Sequence, residues 1–157
     1  MADIAVFPGS FDPLTLGHHD IVLRGAQLFE KVYVAVGNNT TKKYMLPFEA
    51  RQLIVRQVFE PEAKVEVVGY DELTVNLCQR LGARYLLRGL RSAIDYEFER
   101  NIAFMNQQLN ENIETVFLMS RPEFSRVSST IVREIHKYGG DIGSFVPEEV
   151  VELLKNQ

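Results

Sequence analysis

Short runs of β-branched residues alternate with longer segments of helical periodicity along the whole chain of 157 residues. The short β-branched runs predict strands at 4–7, 32–36, 65–69, 84–88 and 114–118. The longer segments predict helices at 18–30, 47–60, 73–82, 93–109, 128–139 and 147–155. Strands that alternate with helices pair in parallel through right-handed crossovers. We therefore predict an α/β fold, a single domain with a doubly wound, five-stranded parallel sheet.

The loop after the first strand is the most unusual part of the chain, with the sequence PGSFDPLTLGHH over residues 8–19. Gly9 permits close approach of a ligand, Ser10 offers a hydroxyl, and His18 lies in the first turn of the next helix. A helix start disfavours extra positive charge, so His18 is expected to be a neutral donor. The loop therefore indicates an anion site, whereas an ordinary turn with an Asx-turn at Asp12 is the alternative. His19 is expected to face solvent.

Two further loops follow strands and carry groups that suit phosphates. Arg88 and Arg91 flank a glycine after the fourth strand; they indicate a polyphosphate site, or else surface ion pairs with Asp95 or Glu97. Residues 128–130, with the sequence SST, begin a helix and serve either as N-cap residues or as phosphate ligands. In doubly wound sheets, ligands bind beyond the carboxyl ends of the strands, where these loops lie.

The helix predicted at 93–109, which follows Arg88 and Arg91, has an apolar stripe at helical spacing, which predicts a face in the core. Its members are Ile94, Phe98, Ile102, Met105 and Leu109. Glu99 lies off this stripe and is expected to be a solvated residue or a partner of Arg91.

Composition narrows the class of protein. The net charge of −4 argues against a broad nucleic-acid or anionic-membrane surface, but it allows a local site for a small anion. The single cysteine, Cys78, fits a reducing compartment and is expected to be buried. No apolar stretch is long enough for a bilayer span, and the first ten residues lack the features of a signal peptide. We therefore expect a cytoplasmic protein that binds neither nucleic acid nor membranes.

Thr15-Leu16-Gly17-His18 resembles the T/H-x-G-H signature of the nucleotidylyltransferase superfamily, and residues 127–133 resemble its I-S-S-T-x-x-R signature. With the R-G-L-R stretch at 88–91, the chain is most similar to the phosphopantetheine adenylyltransferase family. The resemblance implies a Rossmann-like nucleotidylyltransferase fold, ATP and 4′-phosphopantetheine as substrates, and Mg²⁺ held mainly by ATP phosphates. It also implies a homohexamer and possible feedback inhibition by coenzyme A.

The resemblance also implies roles for single residues. The expected catalytic residues are His18, Lys42 and Arg91. Those expected to bind ATP are Ser10, Phe11, His18, Gly89, Leu90, Arg91, Glu99, Phe124, Ser125, Arg126, Val127, Ser128, Ser129 and Thr130. Those expected to bind phosphopantetheine are Ser10, Lys42, Thr74 and Arg88.

An ionised phosphate is already a nucleophile, so the implied reaction needs positioning and charge neutralisation rather than a general base. Two alternatives remain at this point. The first is a sister nucleotidylyltransferase that acts on nicotinate mononucleotide or, with CTP, on a small phosphorylated alcohol. The second is a regulatory module that binds a nucleotide without catalysis.

Overall fold

Five strands alternate with six α-helices in the computed structural model, which describes residues 1–157. The strands are β1 (Ile4–Gly9), β2 (Lys31–Gly37), β3 (Val65–Tyr70), β4 (Tyr85–Leu90) and β5 (Glu114–Met119). The helices are α1 (Leu16–Leu28), α2 (Phe48–Phe59), α3 (Thr74–Leu81), α4 (Ala93–Leu109), α5 (Ser129–Lys137) and α6 (Glu148–Lys155). Every predicted element is present within two residues of its predicted bounds, and a short 3₁₀ helix at Pro122–Phe124 was not predicted.

All five strands are parallel, in the order β3-β2-β1-β4-β5. Strand order reverses between β1 and β4, because the chain first builds outward from β1 to β3 and then returns to the other side of β1. The predicted doubly wound parallel sheet is confirmed. Its crevice lies at the carboxyl ends of β1 and β4, where ligands of such sheets bind.

Each strand of the sheet contributes to two apolar layers because successive side chains point to opposite faces. Phe7 and Val34 pack on one face with α1, α2 and α6, while Val6 and Ala35 pack on the other face with α3. Cys78 belongs to the second layer and is fully buried, as predicted, and burial raises the pKa of its thiol to about 12. None of the helices combines the length and apolar character needed to cross a membrane.

The prediction that the apolar stripe of α4 lies in the core is wrong. Ile94, Phe98 and Met105 are 83%, 67% and 63% exposed, and the rest of the stripe is exposed as well. The side of α4 that meets the sheet carries Tyr96, whose ring contacts Phe117, and the buried Glu99. Periodicity identifies an apolar face, but it does not say that the same chain covers that face.

Gly25 of α1 offers a test of how closely helix and sheet pack. A Cβ atom at this position would lie 2.5 Å from Cδ2 of Leu87, a fully buried residue of β4. We expect Gly25→Ala to lower the free energy of unfolding by about 1–3 kcal/mol, since the core has no room for the methyl group. Gly17→Ala in the same helix is the control, because its Cβ would make ordinary contacts of 3.6 Å and beyond. Urea unfolding measures both variants; equal stability of the two would contradict the close packing.

Candidate active site

Two adjoining cavities open at the carboxyl ends of the strands. The large cavity, of about 590 Å³, lies beyond β1, β2 and β3 and reaches α4. The small cavity, of about 350 Å³, lies between the loop after β1, the loop after β4 and the start of α5. Both cavities are lined by Pro8, Gly9, Ser10, Lys42, Arg88 and Glu99. These six residues therefore form the boundary across which two ligands would meet.

His18 is fixed by the first turn of its own helix. The backbone N–H of Thr15 donates to Nδ1 of His18 over 3.1 Å, and the backbone N–H of His18 donates to Oγ1 of Thr15 over 3.3 Å. This reciprocal pair is a capping box, with His18 in the position usually held by Glu or Gln. Because Nδ1 accepts a hydrogen bond, the proton of the neutral ring lies on Nε2.

The charge state of His18 follows from its surroundings. Loss of water around the ring, and then the positive charges of Arg88 and Arg91, lower the pKa of His18 from 6.5 to about 4. Phe11 packs edge-on against the imidazole, with ring centroids 5.1 Å apart. The ring lines the small cavity as a neutral hydrogen-bond donor at physiological pH, as the sequence predicted. His19 does not face solvent freely, since its ring stacks on Phe59.

The loop after β2 brings Lys42 over the boundary of the two cavities. Nζ of Lys42 lies 3.4 Å from Oγ of Ser10 and donates to it. Asp12 anchors this loop, since its buried carboxylate accepts hydrogen bonds from the N–H groups of Met45 and Leu46, both at 2.8 Å. Asp12 therefore joins two loops instead of forming the Asx-turn considered above.

The two arginines after β4 have separate anchors. Arg88 donates to both carboxylate oxygens of Glu99, at 2.9 and 2.6 Å, and to the carbonyl of Pro8. Arg91 forms an ion pair with Asp95 at 3.3 Å and reaches the carbonyl of Val127. Glu99 is therefore neither solvated nor the partner of Arg91, because the inward side of α4 directs it to Arg88. Its carboxylate holds Arg88 at the junction of the cavities.

The start of α5 closes the small cavity from the other side. Ser128 is the N-cap, since its hydroxyl accepts from the N–H of Ile131, and Ser129 donates to the carbonyl of Pro13 at 2.8 Å. The N-cap interpretation of this segment is confirmed, while the binding of phosphates by residues 127–130, which line the cavity, stays a prediction. Arg133, the last residue of the second signature, donates to the carbonyl of Asp12 and also lines the small cavity.

Most of the predicted site residues meet in these cavities. The small cavity is lined by Ser10, Phe11, His18, Lys42, Arg88, Gly89, Arg91, Glu99, Val127, Ser128, Ser129 and Thr130. Thr74 opens on the large cavity and lies 3.5 Å from the hydroxyl of Tyr70. The predicted residues outside both cavities are Leu90, Phe124, Ser125 and Arg126, of which Arg126 is exposed.

Sequence reasoning missed several residues of the site. Tyr44, Tyr70 and Asn106 line the large cavity, but no motif marks them. Arg133 could have been found, since it occupies the arginine position of the second signature. Tyr70 ends β3, so its place at a strand end was the only available signal.

Comparisons with known proteins agree with this geometry. The model of the cytidylyltransferase-like family matches residues 6–135. The phosphopantetheine adenylyltransferase of Flavobacterium psychrophilum is 48% identical over 146 residues, which cover 93% of this chain and 96% of that protein. The enzyme of the same name from Streptococcus pneumoniae is 44% identical over 155 residues, 98% of this chain and 96% of that protein. The enzyme of the same name from Limosilactobacillus reuteri is 43% identical over 154 residues, which cover 98% of this chain and 89% of that protein.

A solved structure supports the fold. It is that of a putative nicotinate-nucleotide adenylyltransferase from Vibrio parahaemolyticus, with a TM-score of 0.76 over 99% of this chain and 93% of that one. At 20% identity, this likeness concerns the fold alone. The resemblance identified from the sequence motifs is confirmed by the family model and the three relatives together. The chain belongs to the cytidylyltransferase-like family and, within it, to the phosphopantetheine adenylyltransferases, and it is a nucleotidyltransferase.

Proposed function

We propose that this chain transfers the adenylyl group of ATP to 4′-phosphopantetheine, reversibly, giving dephospho-coenzyme A and pyrophosphate. The observation that carries the proposal is the pair of cavities that share Ser10, Lys42 and Arg88. A transfer between two bound phosphates requires two sites that meet at a cationic boundary, since the reacting groups are both anionic.

The two cavities differ in a way that supports a proposed place for each substrate. The small cavity has helix-start amides and hydroxyls at α5 and the Arg91 guanidinium, which suit the phosphates of ATP. The large cavity is long and mixed in character, with Tyr70, Ile102 and Asn106 along its walls. Such walls suit the pantetheine arm, which combines amide groups with short apolar segments. We therefore place ATP in the small cavity and phosphopantetheine in the large one.

The proposed chemical step is a direct in-line displacement. A phosphate oxygen of phosphopantetheine forms a bond with the α-phosphorus of ATP, and the bond from that phosphorus to the bridging oxygen breaks. Pyrophosphate leaves with the electron pair. Ser10 orients the attacking phosphate, while Lys42, Arg88 and Arg91 offset the negative charge that builds up in the transition state.

His18 contributes a neutral donor to the same step. Its Nε2–H can donate to a phosphoryl oxygen, because Nδ1 is occupied by the Thr15 N–H. A neutral donor stabilises the developing negative charge without adding a fourth cation to Lys42, Arg88 and Arg91. We propose Mg²⁺ as the cofactor, supplying further charge neutralisation through the phosphate oxygens of ATP. No group of three or more His, Cys, Asp or Glu side chains could hold a metal, so no protein ligand is assigned to the ion.

The proposal also covers the assembly of the protein and its regulation. The exposed apolar stripe of α4 is a surface of the kind that pairs with another protein surface. We propose that copies of this chain cover it, in the homohexamer that the family resemblance implies. From the same resemblance we propose a cytoplasmic enzyme under feedback inhibition by coenzyme A, which would compete for the large cavity.

A parallel assay tests the proposed reaction. We expect pyrophosphate release from Mg-ATP with 4′-phosphopantetheine and none with nicotinate mononucleotide, with dephospho-coenzyme A identified by mass. Release with nicotinate mononucleotide alone would assign the chain to a different acceptor. ATP binding without release in either reaction would indicate a nucleotide-binding module.

The charge state of His18 gives a second test. With a pKa of about 4, the imidazole stays neutral above pH 5, so we expect His18 to add no step near pH 6.5 to the pH profile of kcat. A step that comes from the substrate phosphate should be the same in wild type and in His18→Gln. His18→Ala should reduce kcat by about 10²–10³-fold while ATP still binds. His18→Gln, which keeps a neutral donor, should retain more activity than His18→Ala. A kcat step near pH 6.5 that vanishes in His18→Gln would instead show that the imidazolium is the active form.

The same pKa has a consequence for stability. Because the folded pKa of His18 is below its ordinary 6.5, the unfolded chain takes up the proton first as pH falls. The contribution of neutral His18 to the free energy of unfolding is fully present above pH 6.5 and is lost as pH falls through about 4. We expect the free energy of unfolding to fall more steeply between pH 6.5 and 4 in the wild type than in His18→Gln. Equal slopes would contradict the lowered pKa.

Light scattering tests the proposed assembly. We expect the wild type to have about six times the chain mass of 18.0 kDa, and Phe98→Glu to dissociate it by placing a charge on the α4 stripe. Leu53→Glu is the control, since Leu53 is a 51% exposed residue of a different helix, α2. A wild-type monomer, or a hexamer unchanged by Phe98→Glu, would overturn this part of the proposal.

A further inference from the structure

Arg51 of α2 is a buried cation outside the site described above. Its side chain is fully inaccessible, it lines neither cavity, and no carboxylate lies within ion-pair distance of it. One of its nitrogens, Nη2, has no hydrogen-bond partner. Burial lowers the pKa of Arg51, with Tyr44 and Asp12 acting in the opposite direction, yet a guanidinium keeps its charge in proteins. Burying such a group is costly, so its place calls for a reason other than packing.

Arg51 binds backbone carbonyls at the point where two strands separate. The paired register of β1 and β2 ends at Gly9 and Val36. Just beyond it, Nη1 of Arg51 donates to the carbonyls of Ser10 and Gly37, at 2.8 and 2.7 Å. The guanidinium thus bridges the next pair of residues after direct main-chain pairing stops.

The guanidinium is held in this place from two further directions. Its Nε donates to the carbonyl of Leu46 at 3.2 Å, and its Cζ atom lies 3.8 Å from the centroid of the Tyr44 ring. Both residues belong to the loop that carries Lys42. Arg51 is therefore bonded to the loop after β1 and to the loop after β2 at once.

The bond to Ser10 fixes the direction of a peptide group. In a trans peptide the C=O and N–H point in opposite directions, and the Ser10–Phe11 bond is trans. With its carbonyl on Arg51, this peptide directs the Phe11 N–H away from Arg51, and Ser10 and Phe11 both line the small cavity. The Phe11 N–H has no acceptor within the protein. Phe11 also has a φ of 50°, a left-handed conformation that a residue with a side chain adopts only when its surroundings impose it.

We propose that Arg51 is a positioning residue, which holds the Ser10–Phe11 peptide so that the Phe11 N–H donates to a phosphate in the small cavity. The proposal rests on the proposed binding of ATP in that cavity. Arg51 does not touch the substrate; it acts through the peptide, and its fork of donors sets the peptide's orientation.

Selective labelling makes this peptide visible by NMR. Carbonyl-¹³C serine combined with ¹⁵N phenylalanine reports only Ser–Phe peptides, of which the chain has two, Ser10–Phe11 and Ser144–Phe145. The second is an internal control, because the Phe145 N–H already donates to the carbonyl of Ile142. In the wild type, saturating inorganic pyrophosphate or ATP should move the Phe11 amide signal and leave that of Phe145 in place.

Arg51→Lys tests the role of the guanidinium, since a single ammonium keeps the charge but cannot reproduce its fork. At saturating pyrophosphate we expect the shift of the Phe11 signal to fall to less than about half of the wild-type value. A full wild-type shift in this variant would overturn the proposal. No shift in the wild type would overturn it as well, while the pyrophosphate-release assay would still decide the proposed function independently.

Steady-state kinetics separate positioning from a loss of fold. Arg51→Lys and Arg51→Gln should lower kcat by about 10–100-fold, since one phosphate donor is misplaced, with the KM for phosphopantetheine within about threefold of wild type. Arg56→Gln, on the exposed side of the same helix, is the control and should leave kcat unchanged. Equal kcat in wild type and Arg51→Lys, or losses that follow thermal stability in all variants, would show a structural role only.

Discussion

The neighbouring position of β1 and β4 is the constraint on which the site depends. The chain leaves β1 toward β2 on one side, and it leaves β4 toward β5 on the other. The loops after these two strands therefore diverge and leave a crevice between them. His18 reaches the crevice from the first loop, and Arg88 and Arg91 reach it from the second. The signature motifs are far apart in sequence, and this strand order is what brings them within reach of one ligand.

Backbone carbonyls help to fix the direction of the arginines in the site. Arg88 binds the carbonyl of Pro8, Arg91 that of Val127, and Arg133 that of Asp12. A carbonyl is a dipole, so it fixes a guanidinium in direction but leaves its net charge available to an anion. Arg88 and Arg91 also have carboxylate partners, Glu99 and Asp95, which restrict their positions further, whereas no carboxylate forms an ion pair with Arg133. The site is thus organised to present positive charge at fixed points.

The strand and helix pattern could be predicted from the sequence because local periodicity determines it. The strand ends then indicated where Ser10, His18, Arg88 and the residues of α5 would meet. Glu99 and the α4 stripe could not be placed in this way, because a helical wheel shows which residues share a face but not what covers it. No motif or periodic pattern in the sequence marked Arg51 as a functional residue. Its role depends on two carbonyls that only the folded backbone brings together.

Burial lowers the pKa of both kinds of donor, yet it leaves the imidazole neutral and the guanidinium charged, and this suits a reaction that needs no proton transfer. Desolvation beside Arg88 and Arg91 lowers the pKa of His18 to about 4, which leaves a neutral donor at physiological pH. The same desolvation lowers the pKa of Arg51, but a guanidinium starts so far above neutrality that it stays charged. The region therefore combines fixed cations with a neutral donor, His18, whose charge state does not change between pH 5 and 8. For the displacement of pyrophosphate by a phosphate that is already ionised, constant charge and fixed position are the properties that the protein has to provide.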